Sequence, residues 1–159
     1  MKKITWITWE VQRLNRSMCH ELDIELNEIL FKKNVFYRYL YSLYKTFLIL
    51  NNKYDVIVVQ NPSLILSVFA LTLKYFYNYK LVIDEHYAGL FPLEGKSLFF
   101  NFICKIIAVH ADLTVTTTPY LASLINSWGG NSCVVPDPLP VINRKYKEIV
   151  YEDSVREKF

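Results

Sequence analysis

Apolar residues in this chain fall into short, nearly continuous runs separated by longer stretches of helical spacing. KITWITW, near the start, is brief and rich in β-forming residues, and the stretch after it places Val11, Leu14, Met18 and Leu22 at helical intervals. IELNEIL returns to alternation, with Ile24 and Leu26, and predicts a second strand reaching Leu30. A long helix is expected from Val35 to Leu50. YDVIVVQ then has the length and composition of a parallel strand covered on both faces, and it ends at Asn61-Pro62, where proline suits the first turn of a helix from Ser63 to Tyr77.

The same unit recurs downstream. KLVID predicts a fourth strand, a loop holding Gly89, Pro92 and Gly95 leads to a helix over Lys96 to His110, and DLTVTTT predicts a fifth strand. A helix from Pro119 to Trp128 is ended by Gly129-Gly130, and SCVVPD supplies a short sixth strand. Strand and helix alternate with short connections, so the predicted fold class is α/β: a doubly wound, Rossmann-like parallel sheet spanning residues 1–136. PDPLP can continue neither sheet nor helix. Residues 137–159 are therefore expected to form a Pro-rich exit linker and a charged tail.

Composition narrows the setting. Of the 159 residues 52% are hydrophobic and 16% aromatic, which excludes disorder and demands a thick core or a surface that meets something apolar. The longest apolar stretch, Leu64 to Leu73, is well short of the roughly 20 residues a membrane span requires. The N-terminus makes a poor signal peptide, since its apolar run is interrupted by Thr and ends at Glu10, and a cytoplasmic location is expected. Cys19, Cys104 and Cys133 lack metal or redox spacing and read as buried, reduced thiols. A formal charge of +3 gives no support to nucleic-acid binding.

Parallel strands bring their carboxyl ends to one rim, the usual place for ligands in open α/β sheets. Polar groups collect there: Thr8, Trp9 and Glu10 after the first strand, with Arg13 and Arg16 a turn further on; Gln60, Asn61, Pro62 and Ser63 after the third; Asp84, Glu85, His86 and Tyr87 after the fourth; Thr116, Thr117 and Thr118 after the fifth. No GxGxxG or GxxxxGK[ST] turn occurs, and the chain has four glycines in all. Nicotinamide-dinucleotide and P-loop readings are set aside, no cofactor is expected, and the acidic residues near His86 lack metal-binding spacing.

Three features each admit two readings. Arg13 and Arg16 share a helical face near an N-terminus, suited to an anionic group or simply exposed. His86 can carry a proton or donate a hydrogen bond near neutral pH, or it can be an unemployed loop residue; only Asp84, two positions back, shares its face. The Val35–Leu50 helix interleaves aromatics with Arg38 and Lys45, and it can either pack its rings on the sheet or lie at a membrane interface.

With the rim in place, TWEVQRLNRSMCHELDIEL, YDVIVVQNPSLIL, KLVIDEHYAGLFPLEGKS, HADLTVTTTPYLASLINSWGG and VVPDPLP together resemble the N-terminal, acceptor-side domain of a GT-B glycosyltransferase of family-4 type. There is similarity as well to mannosyltransferases that build on lipid-linked oligosaccharides. The resemblance implies a single GT-B half-domain in which His86 reaches the sugar being transferred. It implies that Trp9, Glu10, Arg13, Arg16, Asn61, Pro62, Ser63, Tyr87, Thr117 and Thr118 line the acceptor side, although the glycine-rich loop of many relatives is replaced here. A glycan or lipid-linked acceptor is the implied partner. The nucleotide-sugar donor would bind only with a second domain or chain, and the donor-binding C-terminal domain is expected to be absent from this chain.

Two functions follow as expectations. One is enzymatic: the acceptor-binding half of a hexosyltransferase in polysaccharide biosynthesis, cytoplasmic, with a peripheral contact at the inner membrane face through the 35–50 helix. The other is a non-catalytic binding or membrane-recruiting module of a split or truncated glycosyltransferase. A stand-alone flavodoxin-like protein is a third, weaker alternative.

Overall fold

A computed structural model describes residues 2–31, 34–61 and 63–136. Six strands, β1 (Ile4–Thr8), β2 (Glu25–Glu28), β3 (Val56–Asn61), β4 (Lys80–Glu85), β5 (Leu113–Thr116) and β6 (Ser132–Val134), form one parallel sheet in the order β2-β1-β3-β4-β5-β6. The connections carry α1 (Arg13–Glu21), α2 (Val35–Leu50), α3 (Leu64–Tyr77), a single turn α4 (Tyr87–Leu90), α5 (Leu98–His110) and α6 (Pro119–Ser127). A 3-10 turn, Pro92–Gly95, links α4 to α5. The doubly wound α/β sheet expected from the sequence is the one observed. The expected linker and tail, like Pro62, lie outside the described residues.

Chain direction explains the layering. The β1-to-β2 step runs one way across the sheet and every later step the other, so right-handed crossovers put α1 on one face and the other long helices on the opposite face. Packing agrees: Ile7, Ile57, Val59, Leu81 and Ile83 form the main core with residues of α2, α3 and α5, while Trp6 and Val58 meet Cys19 of α1 on the other side. α6 closes the first layer through Leu121 and Ile125, packed on Leu90 and Ala108.

Local chemistry sets most boundaries. Asn34 caps α2 by accepting from Phe36 N at 2.9 Å, and Ser97 and Thr118 accept at 3.4 Å from Phe100 N and Leu121 N to cap α5 and α6. α3 ends at Asn78, which adopts a left-handed conformation at φ 52°.

Several details differ from the sequence reading. β2 and β5 are shorter than expected, β5 ending at Thr116, and β3 and β4 each run one residue further, carrying Asn61 and Glu85 into the sheet. Part of the loop expected before Lys96 is the α4 turn, and α5 starts two residues later than expected, at Leu98. Cys133 is only half-buried because β6 is an edge strand, whereas Cys19 and Cys104 are buried as expected. Finally, α2 turns Ser42, Thr46 and Leu50 inward, and Phe36, Tyr37 and Tyr44 are more than half exposed. Those rings do not pack on the sheet.

Candidate functional site

Strand order reverses between β1 and β3, and there the helices leave in opposite directions and open a crevice above the strand ends. Side chains alternate across the sheet, so this rim has two sides. Thr8, Gln60 and Asp84 project toward the α1 face, and Asn61, Glu85 and Thr116 project toward the other. All six are buried.

On the α1 side, Gln60 Oε1 accepts from Thr8 Oγ1 at 2.9 Å and from Asn15 Nδ2 of α1 at 2.6 Å. Asn15 is a fully buried amide on the face of α1 that also buries Cys19, which is the trace of this contact. Gln60 Nε2 and Asn15 Oδ1 are themselves buried without a hydrogen-bond partner among the described residues, so the crevice floor offers one donor and one acceptor. Register places Asp84 beside Gln60. Asp84 Oδ2 lies 3.5 Å from His86 Nε2 across the shared face, and the imidazole remains about one-quarter exposed. A carboxylate oxygen is thus held beside the ring.

On the other side, Glu85 is 1% exposed. Its Oε2 accepts from Asn61 Nδ2 at 2.8 Å, and Asn61 also donates to Gly89 O at 3.3 Å. Cys104 of α5 donates to the same carbonyl. Burial pushes the Glu85 carboxyl up to about 8, the Asn61 bond opposes this and the nearby Asp84 charge adds to it. The group is therefore mostly protonated at neutral pH. This cluster ties the end of β4 to α4, the turn that begins at His86.

A small cavity of about 60 Å³ lies between the end of β1 and the starts of α2 and α3, lined by Trp9, Glu10, Arg38, Tyr39, Ser42 and Ser63. Trp9 is anchored here, its Nε1 donating to Thr46 Oγ1 at 3.0 Å and its ring 6.1 Å from Tyr39.

Three of the sequence-derived acceptor residues, Trp9, Glu10 and Ser63, are thus brought together. Asn61 is buried on the side of the rim opposite α1, bonded to Glu85 and Gly89, and His86 lies on the rim. Arg13 is exposed at the start of α1. Arg16 is turned outward and paired by two hydrogen bonds, at 2.9 and 2.6 Å, with Glu28 at the end of β2. Tyr87 is exposed against Phe91, Thr117 is half-buried, and Thr118 caps α6. Asn15, Arg38, Tyr39 and Ser42 were not among the expected site residues. Only Asn15 left a sequence signal, an amide on a face otherwise turned to the core. Among the described residues no group of three His, Cys, Asp or Glu is arranged to hold a metal ion.

Fold and rim together define a Rossmann-like α/β domain with its polar crevice at the strand-order reversal. Neither protein-family models nor curated proteins match the chain. Its fold is shared with Anabaena Alr3699/HepE, known from a crystal structure in complex with UDP and glucose, over 87% of this chain at a TM-score of 0.57 and 11% sequence identity. The chain spans 45% of that protein. The likeness is one of fold, a Rossmann-like α/β domain.

Proposed function

We propose that this domain is the acceptor-side half of a glycosyltransferase that moves a sugar from a nucleotide-sugar donor to a glycan or lipid-linked acceptor. The observation that carries the reading is the convergence of Thr8, Asn15, Gln60, Asp84 and His86 at the crevice between β1 and β3. Amides, hydroxyls and a carboxylate–imidazole pair suit a ligand made of hydroxyl groups. The fold shared with a protein crystallised with UDP and glucose supports the same class.

In this reading His86 hydrogen-bonds the sugar in transfer while Asp84 holds the imidazole in place. Trp9, Glu10 and Ser63 line the acceptor side, with Asn61, Pro62, Tyr87, Thr117 and Thr118 completing the wall. Arg13 receives an acceptor phosphate, and Arg16 contributes charge while paired to Glu28. A donor-binding domain or chain supplies the nucleotide site and closes the cleft, holding both substrates in register and excluding water. α2 brings the domain to the membrane where a lipid-linked acceptor resides.

The test supplies a donor-binding half and radiolabelled nucleotide sugar. His86→Ala should lower transfer by about 10²-fold or more with the fold intact by circular dichroism. Near-normal transfer overturns the assignment. Calorimetry on this chain alone should detect no appreciable affinity for UDP- or GDP-sugars, and tight binding would place the donor site here instead. The exposed apolar surface of the helical layer favours a second reading, a recruiting module without catalysis. It predicts transfer that depends on the presence of this chain and is unaffected by His86→Ala.

A further inference from the structure

α2, α3 and α5 lie side by side on one face of the sheet and share its main core. Phe47 of α2 and Tyr77 of α3 bring their ring centroids within 6.2 Å. On the surface turned away from the sheet, α3 exposes Tyr75 at 71% and Phe76 at 78%, and α5 exposes Leu98 at 86% and Phe102 at 62%. α2 adds Phe36 and Tyr44 while keeping Ser42 and Thr46 inside, the reverse of an ordinary surface helix.

Charge on this layer is one-sided. The three helices together contain no Asp or Glu, although the chain has 15. Their cations are Arg38, exposed at the edge of the layer beside the Trp9 cavity, Lys45, half-buried, Lys74, and Lys105, exposed. Lys74 is spent on Asp112 at 2.6 Å, and among the described residues none of the other three meets a carboxylate. α1, on the opposite face, is polar and mixed in charge, with Arg13, Arg16, His20 and Glu21 exposed. Core packing explains apolar residues facing inward; it does not explain large rings facing out on helices with every acid excluded. A surface that rewards aromatic insertion and excess positive charge together is the interface of an anionic bilayer. Among the described residues no helix is long and apolar enough to cross a membrane, which fits a domain that lies on the surface.

We infer that the combined outer face of α2, α3 and α5 docks flat on a bilayer containing anionic phospholipid, with the sheet parallel to the membrane and the polar rim opening along it. This deepens the membrane contact of the proposed function from one helix to a plane. It rests on that reading only for its purpose, since vesicle binding is read without any sugar transfer and either can fail alone.

The experiment is flotation of the full chain with phosphatidylcholine vesicles, with and without about 30% phosphatidylglycerol. Binding should require the anionic lipid and weaken at least about tenfold in about 0.5 M salt. Phe76→Glu with Phe102→Glu on α3 and α5, and separately Arg38→Glu with Lys45→Glu on α2, should each reduce binding about tenfold or more with unchanged circular dichroism. Ser17→Glu, on the exposed side of α1, should leave it unchanged. Absence of binding to anionic vesicles, or binding that survives the α3 and α5 changes, overturns the inference. So does self-association in ultracentrifugation that those same changes abolish without vesicles, which would assign the face to a second copy of the chain.

Discussion

Gly89 leaves its side-chain position to the carboxyl of Glu85: a Cβ added at residue 89 would fall on Glu85 Oε1 and within 3.0 Å of Asn61 Nδ2. Gly89 has no left-handed φ, so the requirement is one of space. Gly89→Ala should therefore destabilise the domain by about 1–3 kcal/mol through overpacking. Glu85→Ala should relieve part of that penalty. Thermal melts of the two single variants and the double variant check the coupling, and additive effects would disprove it.

Glu85 also predicts a pH dependence. Its folded value of about 8 lies above the ordinary carboxyl value of 4.5, so the native state holds a proton that the unfolded chain releases. The protonated carboxyl contributes fully below about 4.5, and stability from this group falls as pH rises through about 8. Glu85→Gln should flatten that slope, which runs between about 4.5 and about 8, and raise stability near pH 8 by on the order of a few kcal/mol. Urea titrations from pH 5 to pH 9, on the order of five points, measure it.

Asp112 gives the opposite slope. Partial burial raises its pKa, but hydrogen bonds from Lys74, Lys80 and Leu81 N outweigh this and hold it at about 2. Its contribution is present above the unfolded value near 3.8 and is lost as pH falls toward 2. Asp112→Asn should cost about 1 kcal/mol at neutral pH, where the site is one-fifth exposed and screened, and almost nothing in acid.

Thiol labelling separates the three cysteines. Burial is the main cause that lifts Cys104 to about 12, with the Glu85 charge adding, and Cys19 to about 11, with Glu28 and Asp84 adding. Both should resist a thiol reagent in the native protein and react only on unfolding. Cys133, half-buried on the edge strand, should react first. Equal rates for all three in the native state would contradict this packing.

The sequence made the alternation of elements legible because β3 and β4 are nearly continuous apolar runs and most helices are bounded by a cap, a proline or a glycine. α2 was found to the residue. The polar ends of β3 and β4 were harder, since hydrophobic patterning stops a strand at its first polar residue while the main-chain ladder continues to Asn61 and Glu85. Glu85 read as a turn residue for that reason. Facing partners far apart in sequence, such as Asn15 with Gln60 or Arg16 with Glu28, exist only once the sheet has formed. The outward rings of α2 were a matter of phase: Ser42 and Thr46 carry no apolar signal, yet they are the residues that fit against the sheet.

Both borders of the sheet are poor templates for a further strand. β2 is four residues long and carries Glu25 and Glu28, and β6 has three residues. Such borders discourage main-chain pairing with another polypeptide. The surfaces left for contact are the strand ends and the helices, and the domain is shielded from assembly into continuous β ribbons.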